Sequence, residues 1–200
     1  MEDKQARFLQ SKTKENLMRA FAGESQAASR YTIAAGLARK QEQKAIENLF
    51  LFTAGQERTH ASLFYHAMEE LSGQTIHVDG TYPVDLYPDL LSHLKAAQHN
   101  EEQEWHVDYA RFAQEAREEE FPLLAKLFTS VADVERVHSE RFGRYARQVE
   151  RGEFYLSKEP AQWICLHCGL VVESTAAPAH CALCRAPQGF FFRRDENPDQ

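Results

Sequence analysis

Two Glu-x-x-His pairs, Glu57–His60 and Glu135–His138, constrain this chain more than any other feature. Each lies on a stripe of residues spaced by three and four that is otherwise apolar, as on the core-facing side of a helix. One stripe runs Ile46, Phe50, Thr53, Glu57, His60, Phe64, Ala67, Leu71; another runs Leu124, Phe128, Val131, Glu135, His138, Phe142, Tyr145, Val149. Two more follow the same plan: Leu17, Phe21, Glu24, Ala28, Tyr31, Ala35, and Leu90, Leu94, Ala97, Glu101, Glu104, Asp108, Phe112. All four are mostly apolar at their ends and ionisable in their middles. Burying one unpaired carboxylate costs several kcal/mol or forces its protonation. Five glutamates and two histidines in one layer repel one another unless multivalent cations lie among them. Residues three apart share a helix face, so each Glu-x-x-His offers both side chains to one ion. A single Glu from each of the other two helices then completes a carboxylate-bridged two-metal site inside a four-helix bundle.

The spacing repeats. Glu24 precedes Glu57 by 33 residues and Glu101 precedes Glu135 by 34, so one helical hairpin reads as used twice. Glu104 has no counterpart, because the residue three after Glu24 is Ala27. It reads as an added ligand that makes the two metals inequivalent. Asp108 suits either a hydrogen-bond partner of a ligand or a stripe that drifts. His66, His93, His99 and His106 lie mostly off the stripes and are expected in solvent, and His77 falls in a connecting segment.

Helices are expected near 12–40, 42–71, 89–117 and 121–150, with Pro122 suited to a first turn. Short links pair the first two and the last two as antiparallel hairpins, and SGQTIHVDGTYPVDLYP crosses the bundle between them. RGEFYLSKEP (151–160) reads as a linker. Short β-like pieces follow at Trp163-Ile164, Leu170-Val171-Val172 and Phe190-Phe191-Phe192. The expected architecture is mainly α: a four-helix bundle with one long crossover over 1–152, a link at 153–159, and a small β-rich metal domain over 160–200.

All four cysteines fall in that last segment, as Cys165-x-x-Cys168 and Cys181-x-x-Cys184. Two such knuckles can give four thiolates to one tetrahedral ion, zinc and iron being equally served by the spacing. About 40 residues bury little core, so a metal would have to stabilise them. His167 and His180 adjoin the knuckles but exceed a shell that four thiolates complete. A formal net charge of −7 argues against nucleic acid or an anionic membrane as partner. No apolar run reaches the roughly 20 residues of a membrane span, and MEDKQARFLQSK has no apolar leader segment. A cytoplasmic location is expected.

In combination these motifs resemble the rubrerythrins over nearly the whole chain. GESQA around Glu24, Glu57-x-x-His60, Glu101-x-x-Glu104-Trp105, Glu135-x-x-His138, and WIC-x-x-CG with a second C-x-x-C stand in that family's order. The resemblance implies a ferritin-like di-iron bundle followed by a rubredoxin-like domain, in a family of peroxide-reducing enzymes common in organisms that avoid oxygen. It implies di-iron ligands at Glu24, Glu57, His60, Glu101, Glu104, Glu135 and His138, with Glu57 and Glu135 bridging. One iron would exchange His60 for Glu104 on oxidation. Cys165, Cys168, Cys181 and Cys184 would hold a mononuclear iron. Tyr31 and Tyr109 match tyrosines beside the di-iron site, as proton relays or simply as core aromatics with a bonded hydroxyl. The implied substrate is hydrogen peroxide. The implied donor is rubredoxin or an NAD(P)H-dependent reductase, and the implied assembly is a homodimer or higher homo-oligomer.

The second knuckle, CALCR, departs from the family's pattern by placing Arg185 where a glycine is usual, as CLHCG does by lacking proline. A distorted second knuckle or a raised potential at its iron is expected. Two other readings compete: a ferroxidase or dioxygen-reducing di-iron protein, and a zinc-ribbon interaction module on a helical scaffold.

Overall fold

A computed structural model describes residues 2–194; residue 1 and residues 195–200, at the outer ends of the two expected domains, lie outside it. Four long helical segments form the bundle: α2 (Lys12–Lys40), α3 (Lys44–His66), α4 (Leu90–Gln103) continuing through a π-turn at Glu104–Asp108 into α5 (Tyr109–Glu118), and α6 (Pro122–Glu150). A short α1 (Glu2–Leu9), which the sequence reading lacks, lies across one end, where Phe8 meets Phe121 edge-on at 5.5 Å. Glu119 fastens that end by accepting from the Lys12 and Thr13 backbone N–H groups at 2.8 and 2.9 Å, donors that a helix start leaves free. The second helix is shorter than the expected 42–71. It stops at His66, and Glu69–Leu71 form a separate 3₁₀ turn.

The two hairpins are copies. Glu42 and Glu120 each take positive φ, 57° and 64°, just past a helix end. After them, Gln43 donates to the Ala38 carbonyl at 2.9 Å and Phe121 donates to that of Ala116 at 2.8 Å. Both turns thus close α-helices in the same left-handed manner. The crossover between the copies is pinned by two ion pairs. Arg19 Nη2 lies 2.9 Å from Asp79 Oδ1. Arg30 Nη1 lies 2.8 Å from Asp85 Oδ2, which also accepts from Asn100 at 2.7 Å.

The bundle interior has two apolar cores with a polar layer between. Tyr31, Phe50, Leu94 and Phe142 belong to one core, and Leu17, Phe64, Tyr109 and Phe128 to the other. Glu24, Glu57, His60, Glu101, Glu135 and His138 are buried where they part. His93 is a correction to the expected solvated histidines: it is buried, with Nε2 3.0 Å from the Tyr87 carbonyl. His66, His77, His99 and His106 are exposed.

The C-terminal module is a three-stranded antiparallel sheet of β1 (Leu156–Cys165), β2 (Val171–Ala176) and β3 (Phe191–Arg193), ordered β2-β1-β3. β1 starts inside the expected linker, with its pairing irregular between Leu156 and Ala161. Trp163, buried at its centre, donates Nε1 to the Ser174 carbonyl at 3.0 Å. The module rests on the α2–α3 turn. Tyr155 donates its hydroxyl to Gln43 there, and Gly189 sits so close that a Cβ would come within 2.0 Å of the Glu42 carbonyl oxygen.

Candidate metal centres

Two overlapping groups of buried ligand-type side chains occupy the polar layer. Glu24, Glu57, His60 and Glu135 form one; Glu57, Glu101, Glu135 and His138 form the other, each set of ligand atoms lying within 4.8 Å of one another. Glu57 and Glu135 belong to both, the places that bridging carboxylates would take. His60 Nδ1 is 2.8 Å from Glu135 Oε1 and 3.1 Å from Glu57 Oε2. His138 Nδ1 is 2.6 Å from Glu135 Oε2 and 3.0 Å from Glu57 Oε1. Each histidine therefore aims the same ring nitrogen at the shared carboxylates.

The donor set fits metal. Glu24 Oε2, Glu57 Oε1, Glu101 Oε2, both carboxylate oxygens of Glu135 and Nδ1 of His138 are buried without a hydrogen-bond partner, short distances to the imidazoles notwithstanding. Orphaned buried acceptors at this density are costly in an apolar core and are what a cation pair would satisfy. In the metal-free protein, protons must substitute. Burial, then Glu57 and Glu135, push the Glu101 carboxyl up to about 8. Burial and Glu135 push Glu24 well up as well. Burial acts to lower His60, but Glu135, Glu24 and Glu57 prevail and raise it to about 12. The two imidazoles in turn outweigh burial at Glu57 and hold it near 2.

Tyrosines close the layer above and below. Tyr31 donates its hydroxyl to Glu101, and Tyr109 donates its own to Glu24, so each hydrogen bond joins one hairpin to the other. Burial, then the bonded glutamate, pushes both phenols well above their ordinary value. They stay protonated and serve as donors.

Glu104 stands apart. It is half-buried, outside both four-residue groups, and opens the π-turn in which the Tyr109 N–H reaches back five residues to the Glu104 carbonyl. Burial, then the carboxylates of Glu101 and Glu24, raises its carboxyl well above the usual range. The repeat locates the cause. Leu17 and Leu94, and Glu24 and Glu101, are 77 positions apart; Tyr31 and Tyr109, Glu57 and Glu135, and His60 and His138 are 78 apart. One extra residue therefore lies between Glu101 and Tyr109, where the π-turn absorbs it. Such insertions are frequent at functional sites. Asp108, in the same turn, is half-buried beside Arg111 and not among the clustered ligands, so its place on the expected stripe reflects the phase change. Glu104 and Tyr109 line a cleft of about 640 Å³ between α2 and the π-turn, bordered also by Gly23, Gln26 and Tyr82 of the crossover.

In the C-terminal module the four cysteines are unpaired and converge, with Sγ atoms 3.7 Å apart for Cys165 and Cys184 and 3.6 Å for Cys168 and Cys181. The knuckles match. Gly169, at φ 77°, donates to the Cys165 carbonyl at 2.8 Å, and Arg185, at φ 65°, donates to that of Cys181 at 3.0 Å. The expected distortion is absent: Arg185 takes the glycine conformation and accepts its strain.

A helical bundle with a two-metal carboxylate–imidazole layer, joined to a four-thiolate ribbon, defines the ferritin-like di-metal proteins that carry their own rubredoxin-like domain. Comparison with known proteins narrows the class: the Rubrerythrin family model matches residues 15–89 and 92–163, and the model of the rubrerythrin rubredoxin-like domain matches 163–192. The chain belongs to the rubrerythrin family. It is 40% identical over 182 residues to the rubrerythrin of Clostridium perfringens (strain 13 / Type A), covering 90% of this chain and 93% of that one. It is 36% identical over 181 residues to the rubrerythrin of Nitratidesulfovibrio vulgaris, covering 90% and 93%. A solved structure of nigerythrin in its fully reduced, all-ferrous state superposes with a TM-score of 0.62 at 27% identity, covering 90% of this chain and 86% of that one. The cofactors are accordingly a non-haem di-iron centre in the bundle and one rubredoxin-type iron in the cysteine module. No helix among the described residues is long and apolar enough to cross a membrane.

Proposed function

We propose that this chain is a peroxidase that reduces hydrogen peroxide to water, with electrons passing through the four-cysteine module. The carrying observation is that four converging thiolates are built into the same chain as the buried two-metal cluster. Iron storage needs no attached electron carrier, whereas a repeated peroxidase cycle must refill its site.

Reduction of one peroxide to two waters takes two electrons and two protons. When bound, the iron pair supplies both electrons at one place and Lewis acidity toward oxygen. The chain supplies the rest. Glu24, Glu57, His60, Glu101, Glu135 and His138 would hold the two ions, with Glu104 entering from the cleft edge. Burial, then Glu101 and Glu24, raises the Glu104 carboxyl well above the usual range, and its place on the cleft suits it to hand a proton inward before it takes up metal. Tyr31 and Tyr109 orient Glu101 and Glu24 and exclude water from the layer's two faces.

The module rests on the α2–α3 turn, and Gln41 at that turn lies 17 residues from Glu24, about 25 Å along the helix. That distance favours a homodimer in which the module of one copy serves the bundle of the other, fed by rubredoxin or an NAD(P)H-dependent reductase. The bundle over 1–152 and the module over 160–200 would then be the working units. Stopped-flow oxidation of the fully reduced protein tests the reading. Peroxide is expected to react faster than dioxygen; the reverse order makes this a dioxygen-reducing or ferroxidase protein instead.

A further inference from the structure

The two histidines of the layer differ in what holds their outer nitrogen. His138 Nε2 lies 2.9 Å from Gln56 Oε1, and Arg141 Nη1 donates to the same oxygen at 3.3 Å. Arginine has donors only, so it fixes which end of the Gln56 amide faces inward. With the carbonyl oxygen turned in, His138 must donate from Nε2, and its Nδ1 lone pair is left for metal. Arg141 is itself fixed, its guanidinium 5.2 Å over the ring of Phe52, one helical turn before Gln56. Phe52 and Gln56 on α3 thus face His138 and Arg141 on α6 in one clamp. His60 has no equivalent: among the described residues its Nε2 has no hydrogen-bond partner. The repeat says why. Seventy-eight positions from Gln56 stands Val134, and the same interval before Arg141 falls on Leu63, neither able to hold an imidazole by hydrogen bonding.

We propose that Gln56, oriented by Arg141, is a positioning residue that fixes His138 to its metal, a hold that His60 lacks among the described residues. The inference rests on the two-metal reading of the layer. It also assigns the polarity of the pair to α3 and α6, independently of Glu104.

Cobalt(II) titration of the full metal-free chain tests it, with d–d bands reporting the bundle and thiolate bands reporting the module separately. The unmodified chain is expected to bind two bundle cobalt ions. Gln56→Leu should weaken one of them about 10- to 100-fold and leave the other unchanged. Gln56→Glu, which keeps an acceptor for Nε2 and a partner for Arg141, should restore it. In a His138→Ala background, Gln56→Leu should have no further effect, since the two act as one unit. The proposal is overturned if Gln56→Leu leaves both affinities unchanged or weakens both alike, if Gln56→Glu does not restore binding, or if the two losses add. Fewer than two bundle cobalt ions in the unmodified chain would instead overturn the two-metal reading on which it rests.

Discussion

Tyr109, on the second hairpin, donates its hydroxyl to Glu24 on the first, across the plane that separates the two copies. Tyr31 and Glu101 make the mirror contact. Each phenol thus ties the hairpins together at the level where they share charge. Tyr109→Phe removes a donor from a buried carboxyl and should destabilise the metal-free protein by about 1–3 kcal/mol in denaturant melts. If its only role is structural, turnover of the metal-loaded variant will keep its pH profile; a relay role predicts a profile shifted or flattened.

Glu24 belongs to one of the two ligand groups alone, whereas Glu57 and Glu135 belong to both. Glu24→Ala should therefore leave a helical bundle by circular dichroism but retain one bundle iron in place of two. Retention of both irons with full peroxide turnover would remove Glu24 from the ligand set.

The metal-free protein should lose stability as pH rises above about 4.5, and more steeply above 6.5. Glu101 holds its proton to about 8 in the folded chain against an ordinary 4.5, so its contribution declines between those values. His60, raised from 6.5 to about 12, contributes fully below 6.5 and progressively less up to 12. Both retain protons that the unfolded chain releases. Glu57, lowered to about 2, acts oppositely and withdraws its stability only as pH falls below 4.5. Thermal melts of the metal-free chain should thus peak near pH 4.5 and fall toward pH 9. Bound metal replaces the protons, so the loaded protein should show a flatter profile and release protons on loading.

Arg185 occupies a left-handed conformation that costs a non-glycine residue roughly 1–2 kcal/mol. Arg185→Gly should stabilise the zinc-loaded module by about 1 kcal/mol, less the added flexibility of its unfolded chain. It also removes a positive charge near the thiolates, so the iron-loaded variant should show a lower reduction potential. An unchanged potential would leave only the backbone effect.

Much of the bundle is readable from spacing, because a helix repeats its faces by fixed rules and an ionisable residue on an apolar stripe violates them visibly. Glu24, Glu57, His60, Glu101, Glu135 and His138 stand out for that reason. The π-turn is written there too, in the mismatch between intervals of 33 and 34. It is legible only once the extra residue is assigned to a place, and a stripe drawn at fixed spacing through Asp108 conceals it. Gln56 escapes notice because an amide beside a ligand carries no charge to mark it. His93 escapes because its burial depends on the path of the crossover, whose Tyr87 carbonyl receives it. The knuckle at Arg185 misleads in the other direction: four thiolates drawn to one point and the paired backbone bonds impose a turn that its side chain disfavours.

A bundle of two identical hairpins would give its two ions interchangeable surroundings, with no inherent order in which to fill, oxidise or trade a ligand. The single residue inserted between Glu101 and Tyr109 ends that equivalence on the α4–α5 side, as Gln56 and Arg141 do between α3 and α6. The insertion gives the container a front, the side on which Glu104 meets the cleft. Deleting one residue from the turn would restore the regular helix and, with it, a site unable to tell its two metals apart on that side.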